Sequence, residues 1–136
     1  MGAWGAGPFE NDDAADWVWD LEESSDDSVI ASALGAVADL SADEYLEAPE
    51  ATMGLAAAEV VAAAFGAPAP ILPEGVSNWI AGSHVVMSPN LLGEARTTVE
   101  RVSTNSELKE LWDEAGDQGW LAHVFNLQAR LASVGD

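Results

Sequence analysis

Carboxylates dominate the chemistry this sequence can offer. Asp13, Asp16, Asp20 and Glu23 recur at spacings of three and four residues, so on a helix they would share one outward stripe. Trp19 falls beside that stripe, and Glu22, Asp26 and Asp27 extend it. An indole next to a row of charges is the chemistry of an aromatic anchor with a polar rim, the arrangement of a protein interface. Denser still is the group Glu10, Asn11, Asp12, Asp13 and Asp16. Its oxygens suit a hard divalent cation, but its spacing does not match the twelve-residue calcium loop, whose glycine and terminal glutamate are missing. Helix capping plus a solvated face is the expectation there, and neither a metal nor another cofactor is assigned.

Glu59 poses a different problem, because it is the single charged residue between Met53 and Phe65. A carboxylate in so apolar a run must reach solvent, meet a cation or collect hydrogen bonds. Arg130 is the favoured partner, with Arg96 or Arg101 next, and a structural ion pair is the expectation. The alternative is a small enzyme or ligand-binding protein whose pocket gathers Glu59 and Arg130 with Trp4 and Asp12 or Asp13. His84 and His123 stand far apart and belong to no paired-histidine metal motif. No serine has a nucleophile-elbow context. The opening MGAWGAGPFENDD superficially resembles a phosphate-cradling loop, yet no strand precedes it, no lysine follows, and Asp12, Asp13 and Asp16 occupy the helix end where phosphate would sit. Its glycines are read instead as tight turns that let Trp4 and Phe9 plug into the core. No catalytic residue is assigned.

The elements that must position these groups are helices. Asn11 can cap a helix whose inner stripe is Ala14, Trp17, Val18 and Leu21. Ser24 and Ser25 offer a stop and a new cap before a second helix with Ile30, Ala33, Leu34 and Val37 inside. An acidic connection from Ser41 includes a short turn through Tyr45 and Leu46. Pro49 then suits the first turn of EATMGLAAAEVVAAAF, apolar nearly all round and therefore central, with Gly66 and Pro68 as its stop. The proline-rich APAPILPEG reads as an extended crossing. In VSNWIAGSHVVM a short helix around Trp79 and Ile80 is favoured, while a strand at His84 to Met87 stays open. Ser88 caps a helix with Pro89 in its first turn and Leu91, Leu92, Ala95, Val99 and Val102 on its inner face. Thr104 and Glu107 have capping-box spacing ahead of Leu108, Leu111, Trp112 and Ala115, with Gly116 as terminator. A last helix from about Gln118 carries Leu121, Val124, Phe125, Leu127 and Leu131. The expectation is an all-α fold, a compact single-domain bundle of five to six short helices over residues 1–136 with an ordered N-terminal arm.

Bulk composition narrows the function classes. The 136 residues are 49% hydrophobic, enough for one buried core. No cysteine is present, which removes disulfides, thiolate metal sites and cysteine nucleophiles together. No stretch approaches a membrane span, the start lacks the basic residues of a secretory signal, and Ala6 breaks the myristoylation pattern. A cytoplasmic location without membrane attachment is expected. The net charge is -20, and residues 1–95 hold 17 acidic side chains with no lysine or arginine. Such a polyanion repels nucleic acid and attracts basic proteins by the same Coulomb term.

The opening MGAWGAGPFENDDAADW, the helix LAAAEVVAAAF and the ending SELKELWDEAGDQGWLAHVFNLQARL resemble the domain-of-unknown-function 4259 family of bacterial proteins. The resemblance spans nearly the whole chain and implies one domain, but no reaction, cofactor or partner. It marks Gly2, Trp4, Gly5, Gly7, Phe9, Asp12, Asp13, Asp16, Trp112, Asp113, Glu114, Leu127 and Arg130, positions that suit a fold signature as well as a site. The functional expectation is a non-enzymatic acidic domain, of immunity, antitoxin-like or regulatory kind, that binds a basic protein partner. Mimicry of DNA is its special form.

Overall fold

The computed structural model describes residues 7, 9–70, 72–82, 87–116 and 118–134. Among them are seven helices and no strand: α1 (Asp12–Glu23), α2 (Ser28–Ala38), α3 (Ala48–Ala64), α4 (Glu74–Gly82), α5 (Asn90–Thr104), α6 (Glu107–Ala115) and α7 (Gly119–Ala132). The all-helical class holds, but seven helices replace the expected five to six. The short helix favoured around Trp79 and Ile80 forms as α4, whose nine residues bury only Val76 and Trp79. So few apolar positions make a weak periodic signal, and tertiary contact supplies the rest: the Trp79 indole N–H donates to the Ser24 carbonyl at 3.1 Å. Of the open strand at 84–87, positions 84–86 lie outside the described residues, as do Trp4 and most of the expected N-terminal arm.

α3 is the axis of the molecule. From Ala51 to Ala62 all but Met53 are buried, because a helix apolar on every side can be satisfied only by neighbours on every side. α1, α2, α5, α6 and α7 all pack on it, and α4 docks against α1. Small residues set the approach: a Cβ at Gly54 would lie 2.9 Å from a Thr98 methyl and 3.0 Å from a Val37 methyl. At that point α2, α3 and α5 meet without room for alanine.

Local capping follows the sequence in part. Asn11 Oδ1 accepts from the Ala14 amide at 2.7 Å, and Gly116 closes α6 at φ 71°. The expected capping box of Thr104 and Glu107 does not form. Thr104 ends α5, and Ser106 caps α6 by accepting from the Lys109 amide at 3.1 Å. The Glu107 carboxylate instead accepts from the Ala48 amide at 2.8 Å, joining the starts of α3 and α6. Ser88 is likewise not the cap of α5. Its amide and hydroxyl donate to Asp27 Oδ2 at 3.1 and 2.9 Å, and no side chain caps that helix. Phe125, expected on the apolar face of α7, is exposed.

Candidate functional site

α1 turns Ala14, Trp17, Val18 and Leu21 into the core and therefore presents Asp12, Asp13, Asp16, Trp19, Asp20, Glu22 and Glu23 outward. Trp19 is 67% exposed, the most exposed large apolar side chain among the described residues. Three acidic residues expected on this surface serve the fold as well. Asp27 is half-buried and accepts the two bonds from Ser88. Asp26 accepts from the Ser28 amide at 3.0 Å, and bonds from the Ser28 side chain and amide hold its carboxyl below the usual carboxylate range. Glu22 lies over α4, where a Cβ on Gly75 would fall 1.6 Å from its Oε1. Asp13, Asp16, Trp19, Asp20 and Glu23 make no such contacts among the described residues and form the outward set.

Beside this face a shallow groove of about 770 Å³ runs between α1 and α2. Trp17, Val29, Ala33 and Met53 give it an apolar lining, and Asp20 and Glu23 give it carboxylates. Trp19 does not line it. Among the described residues no three acidic or histidine side chains converge as a metal-binding group, so the cluster from Glu10 to Asp16 is a set of separate surface carboxylates.

The cations explain why this face stays negative. Arg96 donates to the carbonyls of Leu131 and Val134. Arg101 donates to the carbonyls of Ser41, Glu44 and Asn105. Arg130 Nη1 and Nη2 donate to the two carboxylate oxygens of Glu59 at 2.8 and 2.9 Å, while its Nε donates to Asn126 Oδ1 at 2.7 Å. Lys109 pairs with Asp113 at 2.6 Å on α6. All three arginines are thus bonded within the fold, each of them to at least one backbone carbonyl.

Glu59 and Arg130 also line a cavity of about 400 Å³, shared with Phe9, Glu10, Leu72 and His123. Asp12 and Asp13 do not line it, and Trp4 lies outside the described residues. Glu10, His123 and Asn126 are the polar lining residues that sequence reasoning did not place in a pocket. A signal existed: His123, Asn126 and Arg130 are spaced by three and four and so share a face of α7. Trp112, the remaining structural candidate, is half-buried against the core at the end of α6.

A family model described as Domain of unknown function (DUF4259) matches residues 2–123. Leu127 and Arg130, counted above among the positions the resemblance marks, lie beyond that match. No curated protein and no solved structure matches the chain.

Proposed function

We infer that this chain, which belongs to the DUF4259 family, is a non-enzymatic acidic interaction domain that docks a basic protein partner on the outer face of α1. One observation carries the reading: a tryptophan left 67% exposed stands among outward carboxylates, Asp13, Asp16, Asp20 and Glu23, in a molecule whose arginines are bonded internally. Long-range attraction between the -20 chain and a cationic protein would speed encounter. Burial of the Trp19 indole would then supply the short-range contact that holds the complex. The neighbouring groove has the lining for an apolar side chain flanked by lysine or arginine, with Asp20 and Glu23 as counter-charges.

A neutraliser of the immunity or antitoxin kind, or a regulator, fits this chemistry, and mimicry of DNA would be its special form. Direct nucleic-acid binding does not fit, because phosphates meet the same field with the opposite sign of energy. The test uses three baits in native lysate at low salt: the intact chain, Trp19→Ala, and the double variant Asp16→Asn with Asp20→Asn. A basic protein captured by the intact chain and lost by both variants is the expected result, with an association rate that falls steeply as salt rises. A neutral or acidic partner, or one retained equally by all three baits, sinks the reading.

A further inference from the structure

The cavity on the α7 side of the molecule has a composition that selects one class of small ligand. Its volume of about 400 Å³ lies within the roughly 300–1,000 Å³ of small-molecule sites. One wall is the proline-rich crossing, with Ala69, Pro70, Leu72 and Pro73, and Phe9 adds an aromatic face. The two prolines carry no amide N–H, so this wall favours apolar contact over hydrogen-bond donation.

The polar side is built from α7 and the turn ahead of α1. Among the described residues Arg130 is the only lining lysine or arginine, and its charge is already matched by both oxygens of Glu59, a residue 1% exposed. Nε is taken by Asn126, and Nη1 also donates to the Ala67 carbonyl at 3.2 Å. A guanidinium so employed offers little to an anion. The remaining charged lining group is Glu10, which is exposed. Its carboxylate is fixed in place, since Oε1 accepts from the buried Gly7 amide at 3.0 Å and the Glu10 amide donates back to the Gly7 carbonyl at 3.1 Å. A Cβ on Gly7 would fall 2.4 Å from Oε1, so a side chain there would have to push the carboxylate aside. Glu59 and Arg130 pair with each other, which leaves the Glu10 carboxylate as the unpaired formal charge among the described lining residues.

We propose that this cavity binds a small organic monocation, a protonated amine whose apolar body rests on Phe9, Leu72 and the prolines while its ammonium meets Glu10. The site is independent of the α1 face, since no residue of the outward set lines it.

The experiment titrates the folded chain at 150 mM salt with phenethylammonium, its neutral analogue 2-phenylethanol and its anionic analogue 3-phenylpropanoate, following amide and side-chain NMR shifts. Saturable shifts at Phe9, Leu72, His123 and Asn126 are expected with the amine, about tenfold weaker binding for the alcohol, and weaker still for the acid. Glu10→Gln, which keeps an acceptor for the Gly7 amide, should lose about tenfold. Asp13→Asn removes the same charge outside the cavity and should change affinity less than twofold. Leu72→Trp, checked for amide dispersion, should block binding by filling the space. The proposal is overturned if the acid binds as well as the amine, if no shifts saturate, or if Asp13→Asn costs as much as Glu10→Gln. The last result would reveal attraction to the field of the whole chain.

Discussion

Two stretches of this chain are similarly acidic in sequence and opposite in use. On α1, the carboxylates of Asp13, Asp16, Asp20 and Glu23 point outward around an exposed indole. In the connection from Asp39 to Glu47, Asp43 and Glu44 are instead hydrogen-bonded to Ser41. The Ser41 hydroxyl lies 2.9 Å from both Asp43 Oδ1 and Glu44 Oε1 and shares its one proton between them, and the Tyr45 hydroxyl donates to Glu110 at 3.0 Å. Arg101 and Asn105 clasp the backbone of the same loop through the carbonyls of Ser41, Ala42 and Glu44. The difference lies in what each stretch can reach. α1 spends its carbonyls and amides on its own helix and leaves its acids to solvent, whereas an irregular loop must find partners for its backbone and recruits an arginine and hydroxyls to do so. Acidity alone therefore identifies no function.

The buried carboxylate sets the upper end of that scale. Arg130→Met would leave Glu59 charged, 1% exposed and without its counter-ion. The expected loss is about 3–5 kcal/mol of stability, read from the urea midpoint. A smaller loss follows from Arg101→Ala, which strips donors from three carbonyls of the loop and of the end of α5. About 2 kcal/mol is expected, since bonds to charged donors are worth more than neutral ones. If Arg101→Ala costs no more than an ordinary surface change, within about 0.5 kcal/mol, the loop is as free as the α1 face and the contrast fails.

Much of this was legible in the residues. The inner stripe of α1 repeats with helical period, so its outer acids could be placed before any coordinates. Glu59 and Arg130 could be paired because a lone acid in an apolar run has only three arginines to choose from. What escaped depends on distant contacts. Thr104 and Ser106 both precede α6 at plausible positions, and the choice turns on Glu107 being drawn to the Ala48 amide, 59 residues away. The cavity is hidden for the same reason: the proline crossing carries no periodic signal, and only the fold brings it over α7. α4 was ambiguous because its register is held by the bond from Trp79 to Ser24, 55 residues apart.

Titration separates the two acidic stretches further. Bonds from the Ser41 hydroxyl lower the Asp43 carboxyl, and those from the Ser41 amide and hydroxyl lower Glu44. Because both folded values are depressed, their contribution is complete above the ordinary values of 3.8 and 4.5 and is lost as pH falls through the lowered ones. Tyr45 behaves inversely. Desolvation, the bond to Glu110 and the charges of Glu107, Glu110 and Glu47 push its phenol up to about 12. The contribution of that phenol is present below its ordinary 10.0 and is lost as pH rises through the raised value. Side-chain NMR titration should therefore show the loop opening at both extremes. Unshifted midpoints for Asp43, Glu44 and Tyr45 would show that the network does not hold in solution.

The smallest effect on stability is expected where the effect on binding is largest. Asp16→Asn, Asp20→Asn and Trp19→Ala alter exposed side chains on α1, so each should shift stability by no more than about 0.5 kcal/mol. The same changes should slow capture of a basic partner for the two aspartates and hasten its release for the tryptophan, because charge acts over a screening distance of about 8 Å and an indole acts only in contact. Stopped-flow association and release rates separate these two signatures. A fall in folding stability of several kcal/mol for Trp19→Ala would mean that the indole packs against the fold in solution, and the face that distinguishes α1 from the loop would lose its anchor.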